Sequence, residues 1–419
     1  MVALHIGLGA VRMDTSLETP RFARRSETIH PSGTSMAQIA ALSVNLDTSS
    51  VIDFTIGELG LSPSERLTRA AVTALENGAS RYTDTLGHPA LRKILAAEFS
   101  EQTGEDWSVD EVALTAGAKP GLFFLGQILL DPGDEVIIPR PHWQTFPTQI
   151  RLAGGNPVLV DHDPAGQLNI PAIRAAVTGR TRAIIINTPN NPTGVVYTEE
   201  GLRHVAEIAL THNLWIVFDQ CYRNFTYGEH VHHNIVKLNP AIRQRTIIID
   251  SFSKRLAIAG WRLGFMAAPQ QIIAKIRAYQ SHITSCPNVV GQQAVLTYLE
   301  NGGDEFVDVA RRHVGDNRAL GLNILSALEN IPAAPAQGGF YFYLNVSELL
   351  GGYHGKRHLV TVDDVSALLL ADARIATVPG TAFSDPQSIR ICYSGRSVDL
   401  DAGLQRAIAT LNAVSRSVS

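Results

Sequence analysis

SFSKRLAIAGWRLGF, residues 251–265, directly follows the apolar run TIIID at 246–250. Lys254 therefore stands where a strand ends, and Arg262 follows in Gly260-Trp261-Arg262. A single lysine at a strand end is ordinarily a solvated surface residue. The rest of the chain changes that reading.

Working outward from this stretch, short apolar runs recur at 111–115, 135–139, 157–160, 182–187, 215–219, 246–250 and 262–267. Helical patterns lie between several of them, at 119–130, 170–177 and 199–212. The last carries Leu202, Val205, Ala206, Ile208 and Ala209 as one apolar stripe at helical spacing. Such alternation predicts an α/β fold, a mostly parallel sheet with helices on both faces. TRAIIIN at 181–187 is apolar almost throughout, as a strand covered on both faces must be. Open sheets of this kind bind ligands beyond the C-terminal ends of their strands. Gly117, Trp143, Asn191, Asp219 and Lys254 stand at or just after those ends.

From about residue 296 the pattern changes. One long amphipathic stretch, 293–327, leads to GGFYFYLNV (338–346), a helical pattern at 362–372, IATVPG (375–380), IRICYS (389–394) and a final helix. This reads as a smaller α+β domain. Residues 1–50 read as an irregular arm, broken by Pro20, Pro31 and Gly33, with a helical pattern at 35–44. The expected division is 1–56 as arm and segment joining the small domain, 57–295 as the large domain and 296–419 as the small one. Gly7-Leu8-Gly9 hints at a dinucleotide loop, but Arg12 occupies the third glycine position and no adequate strand precedes it.

Composition limits the function. The 419 residues have room for two or three domains at roughly 150 residues each. Apolar residues make up 45% and charged residues only 18%, below the ~25% usual for soluble domains, so disorder is excluded and extra buried surface is expected. With 35 Lys+Arg against 39 Asp+Glu the net charge is −4, which gives no electrostatic case for nucleic acid. Three isolated cysteines, Cys221, Cys286 and Cys392, support neither a disulfide framework nor a metal site. No apolar run approaches the ~18 residues of a membrane span, and the first residues lack a basic region and cleavage site. A cytoplasmic enzyme is the expectation.

Seven motifs in order carry a resemblance: RYTDTLGHPALR (81–92), LTAGAK (114–119), DPGDEVIIPRPHW (131–143), NTPNNPTG (187–194), FDQCYR (218–223), SFSK with GWRLG (251–264) and IRICYS (389–394). The chain resembles the fold-type I pyridoxal-phosphate enzymes of the class I/II aminotransferase family, the aspartate-aminotransferase-like group. The resemblance runs from about residue 30 to 410. It implies a large domain with a seven-stranded, mostly parallel sheet, a smaller α+β domain, and pyridoxal 5′-phosphate as cofactor. It also implies an amino acid and a 2-oxo acid as substrates, and a homodimer with shared active sites.

The same resemblance distributes roles. Lys254 would form the Schiff base to the cofactor aldehyde and then shuttle the proton. Asp219 would pair with the pyridine N–H and keep the ring an electron sink. Tyr222 and Asn191 would donate to the cofactor's phenolate oxygen. The backbone amides of Gly117, Ala118 and Lys119, at a helix N-terminus, would hold the phosphate together with Ser251, Ser253 and Arg262. Tyr82 would reach the phosphate of the neighbouring subunit, and Trp143 would stack on the pyridine face. Arg390 would clamp the substrate α-carboxylate, with Asn191 and Gly57 also on the substrate side. The expected reaction is ping-pong amino transfer through pyridoxamine phosphate.

Departures from the family pattern lie on the substrate side. Gly57-Glu58-Leu59-Gly60 replaces the usual Gly-Glu-Pro-Asp, Asp219-Gln220-Cys221-Tyr222 replaces Asp-Glu-x-Tyr, and Gly338-Gly339-Phe340-Tyr341 replaces Gly-Ala-Phe-Tyr. Pro141-His142-Trp143 stands for Pro-Tyr-Trp, and 280–288 holds no arginine for a distal carboxylate. His142 and His282 are candidates for a polar side chain, with a satisfied structural histidine the competing reading for each. The alternatives to amino transfer are elimination, cyclisation or other α-amino-acid chemistry on the same scaffold, and a cofactor-binding non-enzyme. No basic helix-turn-helix pattern favours the last.

Overall fold

The computed structural model describes residues 21–23, 26, 29–37, 51–303 and 305–416. Gly7, Gly9, Arg12 and most of the 35–44 helical pattern lie outside the described residues. Met1–Pro31 and Ser32–Ser419 are separate compact units, and everything below concerns the second.

In chain order the strands are β1 (Ile52–Asp53), β2 (Val112–Thr115), β3 (Glu135–Arg140), β4 (Asn156–Asp161), β5 (Thr181–Asn187), β6 (Trp215–Asp219), β7 (Thr246–Ser251) and β8 (Gly264–Ala267). They continue with β9 (Tyr341–Asn345), β10 (Tyr353–His354), β11 (Arg357–His358), β12 (Ile375–Ala376), β13 (Val378–Pro379) and β14 (Ser388–Cys392). Seven of them form one sheet in the order β2-β8-β7-β6-β5-β3-β4. All its pairings are parallel except those of β8, which runs antiparallel to both β7 and β2. Every residue of β2 and β7 is buried, because helices cover both faces.

Local signals explain the helices. Thr198 caps Glu199–Thr211 by accepting the Gly201 N–H at 3.2 Å, and Glu199 and Glu200 face the positive end of the helix dipole. The apolar stripe from Leu202 to Ala209 is the buried face. The stretch 293–327 is not one helix. Val289–Glu300 ends in a turn at Asn301-Gly302-Gly303, where the glycine pair breaks the pattern, and a second helix occupies Glu305–Leu325.

A three-stranded antiparallel sheet, β13-β14-β9, lies in the C-terminal part, and β1 pairs in parallel with β12. Among the described residues no helix is long and apolar enough to cross a membrane. None of their His, Cys, Asp and Glu side chains gather in threes to hold a metal.

A chain of buried and half-buried charges that the sequence did not reveal joins three segments. Arg223 donates through Nε to Asp250 at 2.7 Å and through Nη2 to Glu98, and Arg255 reaches Glu98 at 2.8 Å. It ties the segments after β6 and β7 to the helix Pro89–Thr103. Arg223→Met would leave Asp250, 2% exposed, without its cation. The expected loss is about 3–5 kcal/mol, read as a lower urea midpoint.

Candidate active site

Beyond the C-terminal ends of β2, β5, β6 and β7 opens a cavity of about 300 Å³. The register explains why it forms there. Asn187 ends β5 opposite Asp219, the last residue of β6, and the antiparallel β8 begins with Gly264 opposite both Ser251 and Thr115. That reversal delivers Arg262 to the same corner as the helix Ala118–Leu129.

The corner is built for an anion. Gly117 caps the helix with φ of 91° and no side-chain cap, so the first amides have no side-chain acceptor there. A Cβ on Gly117 would stand 2.5 Å from Arg262 Nη2, so only glycine lets the guanidinium approach. Ser251 Oγ donates to Ser253 Oγ at 2.8 Å beside it. Lys119 Nζ lies 5.0 Å from the Trp143 ring centroid, and burial, with Arg262 nearby, pushes its pKa down.

Asp219, Arg390 and Lys254 line the same cavity, and among the described residues none of them has a charged partner. Asp219 is 4% exposed and accepts the Cys221 N–H at 3.1 Å, and no cation among the described residues comes within ion-pair distance. Burial, reinforced by Asp250, pushes its pKa up to about 6. Arg390 is 2% exposed, donates to Asn191 Oδ1 at 2.9 Å and to Thr55 O at 2.7 Å, and leaves Nε without a partner. No described carboxylate pairs with it. Lys254 donates to the Gly57 carbonyl, and burial lowers its pKa.

The cavity thus gathers Gly57, Ala118, Lys119, Trp143, Asn191, Asp219, Tyr222, Ser251, Ser253, Lys254, Arg262 and Arg390, with Gly117 packed on Arg262. Tyr82 stands apart, 84% exposed. Neither histidine candidate lines the cavity. His282 is exposed on the helix Gln270–Ile283. His142 is buried, yet neither ring nitrogen finds a partner, so it is structural without being satisfied, and burial lowers its pKa to about 4. Tyr341, Cys221, Asn187, Gln144, Ser32, Thr34 and Ser35 also line the wall. Two of them, Cys221 and Tyr341, lie in the departures noted above, and that was their only signal.

A buried amine with a lowered pKa in the same cavity as an anion cradle suits the capture of a carbonyl compound that carries a phosphate. That places the fold among enzymes of amino-group chemistry. Residues 49–407 match the family described as aminotransferase class I and II. The chain is 34% identical over 388 residues to an aspartate aminotransferase of Geobacillus stearothermophilus, covering 92% of this chain and 98% of that one. It is 33% identical over 390 residues to the aspartate/prephenate aminotransferase of Thermus thermophilus, covering 92% and 97%. The solved aspartate aminotransferase of Rhizobium meliloti superposes with a TM-score of 0.89 at 30% identity, covering 95% of this chain and all of that one. The chain belongs to the class I and II aminotransferase family, and it is an aminotransferase.

Proposed function

We propose that this aminotransferase uses pyridoxal 5′-phosphate bound in the cavity, with Lys254 as its imine-forming lysine, and takes acidic α-amino acids. The observation that carries the reading is a pair of buried, unpaired charges of opposite sign, Asp219 and Arg390, on the walls of one cavity with the Lys254 amine. Each charge is costly unless a ligand supplies its counterpart. A protonated ring nitrogen answers Asp219, and a substrate α-carboxylate answers Arg390. The phosphate fits the cradle of helix amides, Ser251, Ser253 and Arg262.

When bound, the cofactor supplies the aldehyde that captures the amino group and the electron sink for the α-carbon's electrons. The chain's residues do the rest. Lys254 Nζ would take the α-proton and carry it away from the α-carbon, aided by a lowered pKa that leaves more of it neutral. Asp219 holds the ring-nitrogen proton, while Tyr222 and Asn191 donate to the ring oxygen. Trp143 covers one ring face, and Arg390 orients the substrate.

Lys119 supports an acidic side chain as substrate. It lines the cavity, and among the described residues no carboxylate pairs with it. The relatives named for aspartate point the same way. Lys119→Gln is expected to lower kcat/KM for aspartate by about tenfold to a hundredfold and leave alanine within about twofold. An equal loss with both amino acids would remove Lys119 from substrate selection.

Asp219 has a stability signature as well. Its folded pKa of about 6 lies above the ordinary 3.8, so the folded chain binds the proton more tightly than the unfolded one. In cofactor-free protein this group favours folding below pH ~4, and that contribution is lost as pH rises through about 6. Asp219→Asn is therefore expected to stabilise cofactor-free protein by roughly 3 kcal/mol at pH 7 and by little at pH 4. Urea unfolding at the two pH values reads the difference, and the same variant loses activity.

We propose further that residues 57–295 act as the cofactor domain, with 1–56 and 296–419 forming the second body and the boundary falling inside the helix Val289–Glu300. Support comes from the cavity, which draws Tyr341 and Arg390 from the C-terminal part. A homodimer sharing its sites is supported by Tyr82, Leu75 and Val72, which are exposed large side chains. Sedimentation at twice the chain mass tests it. Three free thiols suit the cytoplasm, which cell fractionation would confirm.

A further inference from the structure

Tyr341 has no part in the roles above, yet it touches three of the groups that do. It opens β9, is 1% exposed and lines the cavity. Its hydroxyl lies 2.8 Å from Tyr222 Oη. The Arg390 guanidinium rests over its ring, 4.5 Å from the centroid. A Cβ on Gly57 would stand 2.2 Å from Tyr341 Oη, and Gly57 is the residue whose carbonyl holds the Lys254 amine.

Two phenols in contact have two protons and share one hydrogen bond, so one O–H is left for another acceptor. Burial raises the pKa of both, so neither ionises at neutral pH. A phenol that accepts a hydrogen bond is polarised into a better donor. The Tyr341 ring meanwhile gives the Arg390 cation a π face while its hydrogen bonds to Asn191 and Thr55 fix two of its nitrogens.

We propose that Tyr341 is a positioning residue for amino transfer: it donates to Tyr222 Oη, turning the Tyr222 O–H toward the cofactor's ring oxygen, while its ring holds Arg390 toward the substrate carboxylate. The hydroxyl and the ring thus serve two different groups that line one cavity. This inference rests on the roles proposed above for Tyr222 and Arg390.

The test uses the cofactor-loaded enzyme with Tyr341→Phe and Tyr341→Leu, read by the pH midpoint of the bound cofactor's absorbance and by the Kd for maleate, a dicarboxylate without an amino group. Tyr341→Phe keeps the ring and removes only the hydroxyl. Its midpoint is expected to rise by roughly half a pH unit as Tyr222 becomes a weaker donor, with maleate affinity within about twofold. Tyr341→Leu should show the same rise and bind maleate about tenfold more weakly. On a Tyr222→Phe background, Tyr341→Phe should give no further rise. An unmoved midpoint in Tyr341→Phe, a full further rise on the Tyr222→Phe background, or equal maleate losses in the two variants would overturn the inference. If instead wild-type absorbance survives Lys254→Ala unchanged, the wider reading of the site fails, and the two failures are distinct.

Discussion

Lys254→Ala is expected to lower amino transfer with every amino acid by at least about four orders of magnitude. A positioned general base alone is worth roughly 10²–10⁴, and in the role proposed for it the same amine also captures the cofactor's aldehyde. Burial lowers the pKa of that amine, and its hydrogen bond to the Gly57 carbonyl holds it in the cavity. Folding should be little affected, because losing that one hydrogen bond costs about 1 kcal/mol or less. A small added amine such as methylamine should restore part of the rate by entering the space the side chain leaves. Borohydride treatment followed by peptide mapping should attach the cofactor to Lys254 in the native protein and to no lysine in the variant. Activity within a hundredfold of native would remove Lys254 from its role.

Arg390→Lys is expected to lower kcat/KM by about two to three orders of magnitude. The guanidinium already donates to Asn191 Oδ1 and Thr55 O, and its planar fork leaves further N–H groups for a carboxylate. An ammonium cannot keep both anchors and also present a bidentate face. Two charged hydrogen bonds at about 1.5–3 kcal/mol each account for the size of the loss. Amines lacking a carboxylate should react poorly, and equally so, with native enzyme and variant. A variant that retains native kcat/KM would show that the carboxylate binds elsewhere.

The large sheet was legible because its strands are apolar runs interrupted by residues that have no use in a core. Asp219 after WIVF and Lys254 after TIIID are polar at the point where the apolar run ends, which is what a site at strand ends requires. The reversed direction of β8 carried no such mark, since a four-residue apolar run reads the same either way. The break inside the amphipathic stretch 293–327 was not marked, because helical periodicity continues on both sides of Gly302-Gly303. Tyr341 carried little signal as a site residue for another reason. It belongs to an alternating strand, FYFYLN, where aromatic residues look like core, and only the tertiary fold sets its hydroxyl against Tyr222. The ion chain of Glu98, Arg223, Asp250 and Arg255 joins residues far apart in sequence, so no local spacing announces it. His142 shows the converse: its place in a motif drew attention, but its ring is sealed away from the cavity.

One cavity moves an amino group from substrate to enzyme and keeps it there until an acceptor arrives. The most direct measurement of that transfer is a single half-reaction: cofactor-loaded enzyme mixed with aspartate and no 2-oxo acid, with products quantified per site. One equivalent of 2-oxo acid per cavity is expected, with a complete change in the cofactor's absorbance and no free ammonia, and added 2-oxo acid should restore the starting absorbance. Released ammonia with the starting absorbance restored would show elimination chemistry and contradict amino transfer.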